Sequence, residues 1–201
     1  MDMKFAHLEG LFIIAPWLFM FLIPAITMRM FADEKKTGTF ELLMTQPLTD
    51  FQVILAKYLA ALLLVIFSLL PTLVYFYSVV QLGNPKGNID YGGTWGSYIG
   101  LLFLSSGFVS IGIFSSAITE NQIISFIVGM FLCFFVYTGF DFVSSMEFFG
   151  KVDDIILLLG IQEHYASMSR GVIDTRDAIY FISIIAIFIL LTKTVLGSRK
   201  W

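Results

Sequence analysis

Five long stretches of this chain are apolar at nearly every position, over approximately residues 11–28, 58–80, 95–118, 123–143 and 178–196. Each is close to the ~20 residues that a helix needs to cross ~30 Å of hydrocarbon. None alternates apolar and polar side chains with a period of two, and in lipid the backbone must satisfy its hydrogen bonds within its own segment. The runs therefore predict membrane-spanning helices. Pro16, Pro24 and Pro71 lie inside them and predict kinks. Thr49-Asp50-Phe51-Gln52 and Thr119-Glu120-Asn121-Gln122 both have the threonine-to-glutamine spacing of a capping box. The second predicts a tight hairpin between spans three and four. Thr175, with Asp177 in the first turn after it, is expected to be the N-cap that launches the last span.

The polar connections suggest an orientation. Residues 29–57 carry Arg29, Lys35, Lys36 and Lys57, and the tail carries Lys193, Arg199 and Lys200, whereas the loop around 84–88 has Lys86 alone. The positive-inside rule places 29–57 and the C-terminus in the cytoplasm, and 84–88 and 144–177 outside. Lys151, Arg170 and Arg176 in that last segment weaken the bias. Its run Ile155-Ile156-Leu157-Leu158-Leu159 is too short to span and predicts an interfacial or re-entrant helix.

Composition agrees: of 201 residues, 58% are hydrophobic and 13% charged, about half the charged fraction of soluble domains. The net charge of −3 does not point to nucleic acid. Cys133, the single cysteine, lies in an apolar run and reads as a small buried hydrophobe. His7 and His164 are the only histidines and share no metal-ligand spacing, so no metal or other cofactor is expected. The fold class is all-α: a polytopic helical membrane protein with about five transmembrane helices, in one domain over 1–201.

The most informative stretch joins spans one and two. It reads as a charged patch (Asp33-Glu34-Lys35-Lys36), a turn at Gly38, a short helix and a stop at Pro47. Thr39 is placed to cap that helix and Glu41 lies in its first turn. Phe40, Leu43 and Met44 share one face at i, i+3 and i+4. So short a helix is marginal alone and needs lipid or protein against it. Lys57 reads as a snorkelling anchor.

Pro24, Arg29, Glu34, Gly38-Thr39, Glu41-Leu42-Leu43, Pro47 and Lys57, in this spacing, resemble the permeases of the ABC-2 type transporter family. The stretch 15–77, with His164-Tyr165 and 169–177, is more narrowly similar to the gliding-motility-associated (GldF-type) permeases of the Bacteroidetes. The resemblance implies a multi-pass subunit of the bacterial inner membrane. It also implies a cytosolic P-loop ATPase partner, a second permease copy or sister permease, and surrounding lipid. Glu34, Gly38, Thr39, Phe40, Glu41, Leu43, Met44 and Pro47 would then form the ATPase-coupling element. The chain has no Gly-x-x-x-x-Gly-Lys-Ser/Thr loop, so ATP would be handled by the partner and the subunit itself would not be an enzyme. The family pattern has six spans. The first, with its preceding amphipathic helix, has no counterpart here, an expectation of a truncated or late-starting chain.

Two polar features remain open. Asp141 is an acid inside a predicted span, near its outer end, and reads either as an intramembrane polar site or as a hydrated structural group. Ser106-Gly107, Ser110, Gly112 and Ser115-Ser116 give span three a small-residue surface suited to close packing, within one subunit or across a dimer. A non-transporting scaffold of a motility or secretion apparatus is the alternative function. A membrane-embedded enzyme, such as a lipid-modifying transferase or an intramembrane protease, is a further alternative, against which stand the missing Gly-x-Ser-x-Gly and His-Glu-x-x-His motifs and the lack of paired intramembrane aspartates.

Overall fold

A computed structural model describes residues 9–45, 47–82, 90–145 and 157–198, without the side chains of Glu9 and Met44. His7, the 84–88 loop, Ile155-Ile156 and the Arg199-Lys200 tail lie outside these residues. The described chain is helical, and five helices are long and apolar enough to cross a membrane. They are α1 (Glu9–Thr27), α4 (Asp50–Leu82), α5 (Tyr91–Ile118), α6 (Gln122–Phe134) with its continuation, and the last, α9 (Thr175–Gly197). Short helices α2 (Ala32–Thr37) and α3 (Thr39–Met44) follow α1, and α8 (Ile161–Met168) precedes α9. The spans run antiparallel in sequence order, so α2, α3 and the end of α9 share one end of the bundle and α8 lies at the other.

The bundle is built around α5. Within its most apolar window 78% of the residues are buried, against 22–28% for α4, α6 and α9, so α5 is the axis and the others present wide faces outward. Small residues make this possible. A Cβ on Gly100 would stand 2.7 Å from the Cβ of Met168, and one on Gly96 would stand 2.5 Å from the carbonyl oxygen of Gly171. The neighbouring elements therefore approach to near backbone contact. The α5 hydroxyls of Ser105, Ser106, Ser110 and Ser115 each donate to the carbonyl three residues back, which satisfies them without leaving the helix. The small-residue surface thus packs within the subunit, the choice left open by sequence.

Several boundaries differ from expectation. The second span begins at Asp50 rather than 58, and its 33 residues extend to ~50 Å, so about 20 Å, nearly four turns, projects beyond ~30 Å of hydrocarbon. The capping box at its start forms: Thr49 N–H donates to Gln52 Oε1 at 2.9 Å, and Gln52 N–H to Thr49 Oγ1 at 3.3 Å. The box expected at Thr119 does not. Asn121 caps α6 by accepting from Ile123 N–H at 2.9 Å, while Thr119 turns back to the Ser115 carbonyl and the Gln122 amide is drawn away to Asp33. A tertiary contact outcompetes the local cap. At α9 the cap is Asp174, accepting from Arg176 N–H at 3.1 Å, and Thr175 is the first helical residue.

The fourth span contains a π-helical turn at Phe135–Gly139 before it resumes as α7 (Phe140–Ser144). The extra residue in that turn rotates the faces of the helix beyond it. Tyr137, inside the turn, is buried among Trp17, Phe108 and Tyr165, with ring centroids 6.2, 6.1 and 6.5 Å away.

Candidate functional site: a two-helix hairpin latched to the bundle

The charged patch expected to precede the interfacial helix is itself helical. Asp33 and Glu34 lie in the first turn of α2 and Lys35 and Lys36 in its last, the order that the helix dipole favours. Gly38, at φ 73°, closes α2 in the left-handed region and begins α3 directly. A side chain there would strain the backbone, so glycine is required at the corner. Thr39 does not cap α3. It is the first helical residue, and its hydroxyl lies 2.9 Å from that of Thr37 and 3.4 Å from the Glu34 carbonyl.

Polar contacts hold the hairpin to the spans. Where α1 gives way to α2, the buried Ser116 hydroxyl of α5 accepts from the N–H groups of Phe31 (3.0 Å) and Ala32 (3.1 Å) and donates to the Met28 carbonyl (3.1 Å). Lys35 donates to the Ala117 carbonyl, and Gln122 of α6 donates to Asp33. On the other side, Lys57 of α4 donates to the Met30 carbonyl at 2.6 Å and pairs with Glu34 Oε1 at 2.5 Å, with its Nζ 4.8 Å from the centroid of the Phe31 ring. Lys57 is therefore an internal crosslink rather than a lipid-facing anchor.

This packing splits the face expected on α3. Phe40 is half-buried against Phe31, with ring centroids 6.1 Å apart. Leu43 is half-buried and lines a groove of about 450 Å³ between α3 and α4, with Leu48, Gln52, Val53, Ala56, Lys57 and Glu34. Met44 ends α3, and Pro47 is exposed just beyond it. Glu41 and Leu42 point outward, Leu42 being 67% exposed. Periodicity identifies an apolar face, but the chain covers part of it with its own Phe31. Among the described side chains of α3, the outward apolar residue is Leu42, which lies off the face that the period marks.

At the opposite end Asp141 lies in α7, both carboxylate oxygens buried without a hydrogen-bonding partner among the described residues. A Cβ on Gly160 would come within 3.4 Å of its Oδ1. Close by, sequence reasoning missed a polar node. His164 Nδ1 lies 2.7 Å from Asp177 Oδ1 and its Nε2 lies 3.0 Å from the Leu158 carbonyl. Ser167 donates to Asp177 Oδ2 at 2.8 Å, and the His164 ring stacks on Tyr180 at 3.9 Å. Asp177 is 7% exposed. No motif links His164 to Asp177 because the turn between α8 and α9, not sequence spacing, brings them together. In α8, Tyr165 donates to the Phe12 carbonyl at 2.8 Å, joining α8 to α1, and burial pushes its phenol well above the usual range.

Residues 2–197 match the family model described as "ABC-2 family transporter protein". No curated protein matches the chain significantly.

Proposed function

The chain belongs to the ABC-2 transporter family and is a multi-pass membrane subunit of that transporter class, and on that premise we propose that it moves substrate across the bacterial inner membrane on ATP hydrolysed by a separate cytosolic P-loop subunit. Its bundle pairs with a second permease copy or a sister permease, and its cellular setting is a GldF-type gliding-motility exporter. The observation that carries this reading is the α2–α3 hairpin. It stands at the end of the bundle assigned to the cytoplasm by basic residues, fixed inward by Ser116, Lys35, Asp33 and Lys57 and presenting Glu41 and Leu42 outward. A rigidly held pair of short helices with an exposed apolar residue beside an acid suits a docking element, where apolar contact supplies affinity and charge supplies register.

The test targets the outward residues, because Phe40→Asp or Leu43→Asp would also disturb packing inside the subunit. Glu41→Lys with Leu42→Asp is expected to weaken capture of the ATPase subunit at least ~10-fold, the effect of ~1.4 kcal/mol, while the melting temperature of the permease is unchanged. Undiminished capture by this variant refutes docking through α3. Turnover of a lipid by the purified chain alone would instead favour the enzyme alternative, and an ATPase activity indifferent to any transported molecule would favour the scaffold.

A further inference from the structure

We infer that Lys57 is a positioning residue that makes α4 the span driven by the hairpin. This rests on the coupling role proposed above and adds to it the path of motion. α1, α5 and α6 share close contacts, and Ser116, Ala117 and Gln122 hold α2 to the ends of α5 and α6. Against α4 the arrangement is open. The space between α3 and α4 is the 450 Å³ groove lined by Leu43, Leu48, Val53 and Ala56, so apolar packing does not fill it. On its other flank α4 is separated from α1 by a groove of about 970 Å³, lined by residues such as Leu18, Leu22, Leu69 and Tyr75. The span packs against α5 and α9 but has room on the flanks that face α3 and α1.

Among the described residues, the polar contact that bridges this gap is the Lys57 ammonium group. Lys57 donates to the Met30 carbonyl at the end of the α1–α2 turn, pairs with Glu34 in α2 and lies over Phe31 between them. All three partners belong to the five residues Met30 to Glu34, so α4 is tied to the segment that would move when the hairpin is pushed. The Lys57 and Glu34 side chains are 19% and 31% exposed, shielded enough for the pair to outlast a surface ion pair. A displacement of α2 is passed to α4 through Lys57, and the α1–α4 groove changes width.

The experiment uses spin labels and two settings. In nanodiscs, with the chain alone, labels at Glu41 and Leu55 report the α3–α4 distance. Lys57→Met keeps the aliphatic stem over Phe31 and deletes the ammonium, and is expected to broaden that distribution, while Lys57→Arg keeps it narrow. With the copurified ATPase, labels at Leu22 and Ser68 across the α1–α4 groove are expected to shift on addition of ATP and vanadate in the wild type and in Lys57→Arg. The shift is lost in Lys57→Met, which still binds the ATPase. An unchanged α3–α4 distribution in Lys57→Met, or a full ATP-driven shift in that variant, overturns the inference. A Lys57-dependent distribution in a chain that captures no ATPase leaves the tether standing and overturns the coupling reading instead.

Discussion

At the scale of single residues, the hairpin depends on groups whose partners are distant in sequence. Ser116 is the clearest case: one hydroxyl serves two backbone N–H groups and a carbonyl at the break between α1 and α2, 84–88 residues away. Leaving buried N–H groups without an acceptor costs about 1–3 kcal/mol. Ser116→Ala is expected to lower the melting temperature in nanodiscs and to speed hydrogen exchange over 28–38, and Ser116→Thr, which keeps the hydroxyl, to do so less. Exchange in that segment identical to wild type would show that Ser116 is not the latch. In the sequence Ser116 reads only as one small residue among several, because nothing local distinguishes a hydroxyl that packs from one that bonds across the bundle.

At the scale of elements, the close approaches along α5 make a sharp contrast. At Gly100 a side chain meets Met168, whereas Gly197 in α9 has open space around its missing Cβ. Gly100→Val is expected to destabilise by ~1–3 kcal/mol through overpacking, while Gly197→Ala gains up to ~1 kcal/mol of helix propensity. Equal melting temperatures for the two variants would contradict the packing described. The α9 cap gives a pH signature. The Arg176 N–H first, and then Thr175 and the Arg176 charge, hold the exposed Asp174 carboxylate below the usual carboxylate range. A carboxylate lowered on folding stabilises the helix start above its unfolded pKa of about 3.9, and that contribution is lost as pH falls through the lower, folded value. Acidification through this window is expected to fray the first turn of α9 by hydrogen exchange. Asp174→Ala should fray it at every pH, with no acid step remaining.

At the scale of the whole molecule, the subunit is a ring of lipid-facing spans about one central helix, with a polar latch at each end. Ser116, Lys35, Gln122 and Lys57 fasten the α2–α3 end, and His164, Asp177 and Ser167 fasten the α8 end. Much of this plan is legible in the sequence, including the five spans, the charged hairpin with its glycine corner and the Thr49–Gln52 box. Each depends on residues within a few positions of one another, where helical period, chain length and capping reach decide the outcome. The expectations that failed, at Thr119, Thr175, Thr39 and Lys57, gave a polar side chain a local or solvent role. At Thr175 and Thr39 the preceding residue took the cap position and left the threonine as the first helical residue. At Gln122 and Lys57 a partner from another helix won.

Sequence alone thus determined that this chain is an all-helical membrane subunit of ABC-2 character, because hydrophobic length and motif spacing are properties of a linear chain. Tertiary structure decided that α5 is the axis, that Phe40 and Leu43 turn partly inward and leave Leu42 outermost, and that Lys57 is spent on Glu34 and Met30. The reason is physical. What a small residue packs on and what an ammonium pairs with depend on which helices become neighbours, and in a bundle of similar apolar faces that choice is made only when all five are packed together.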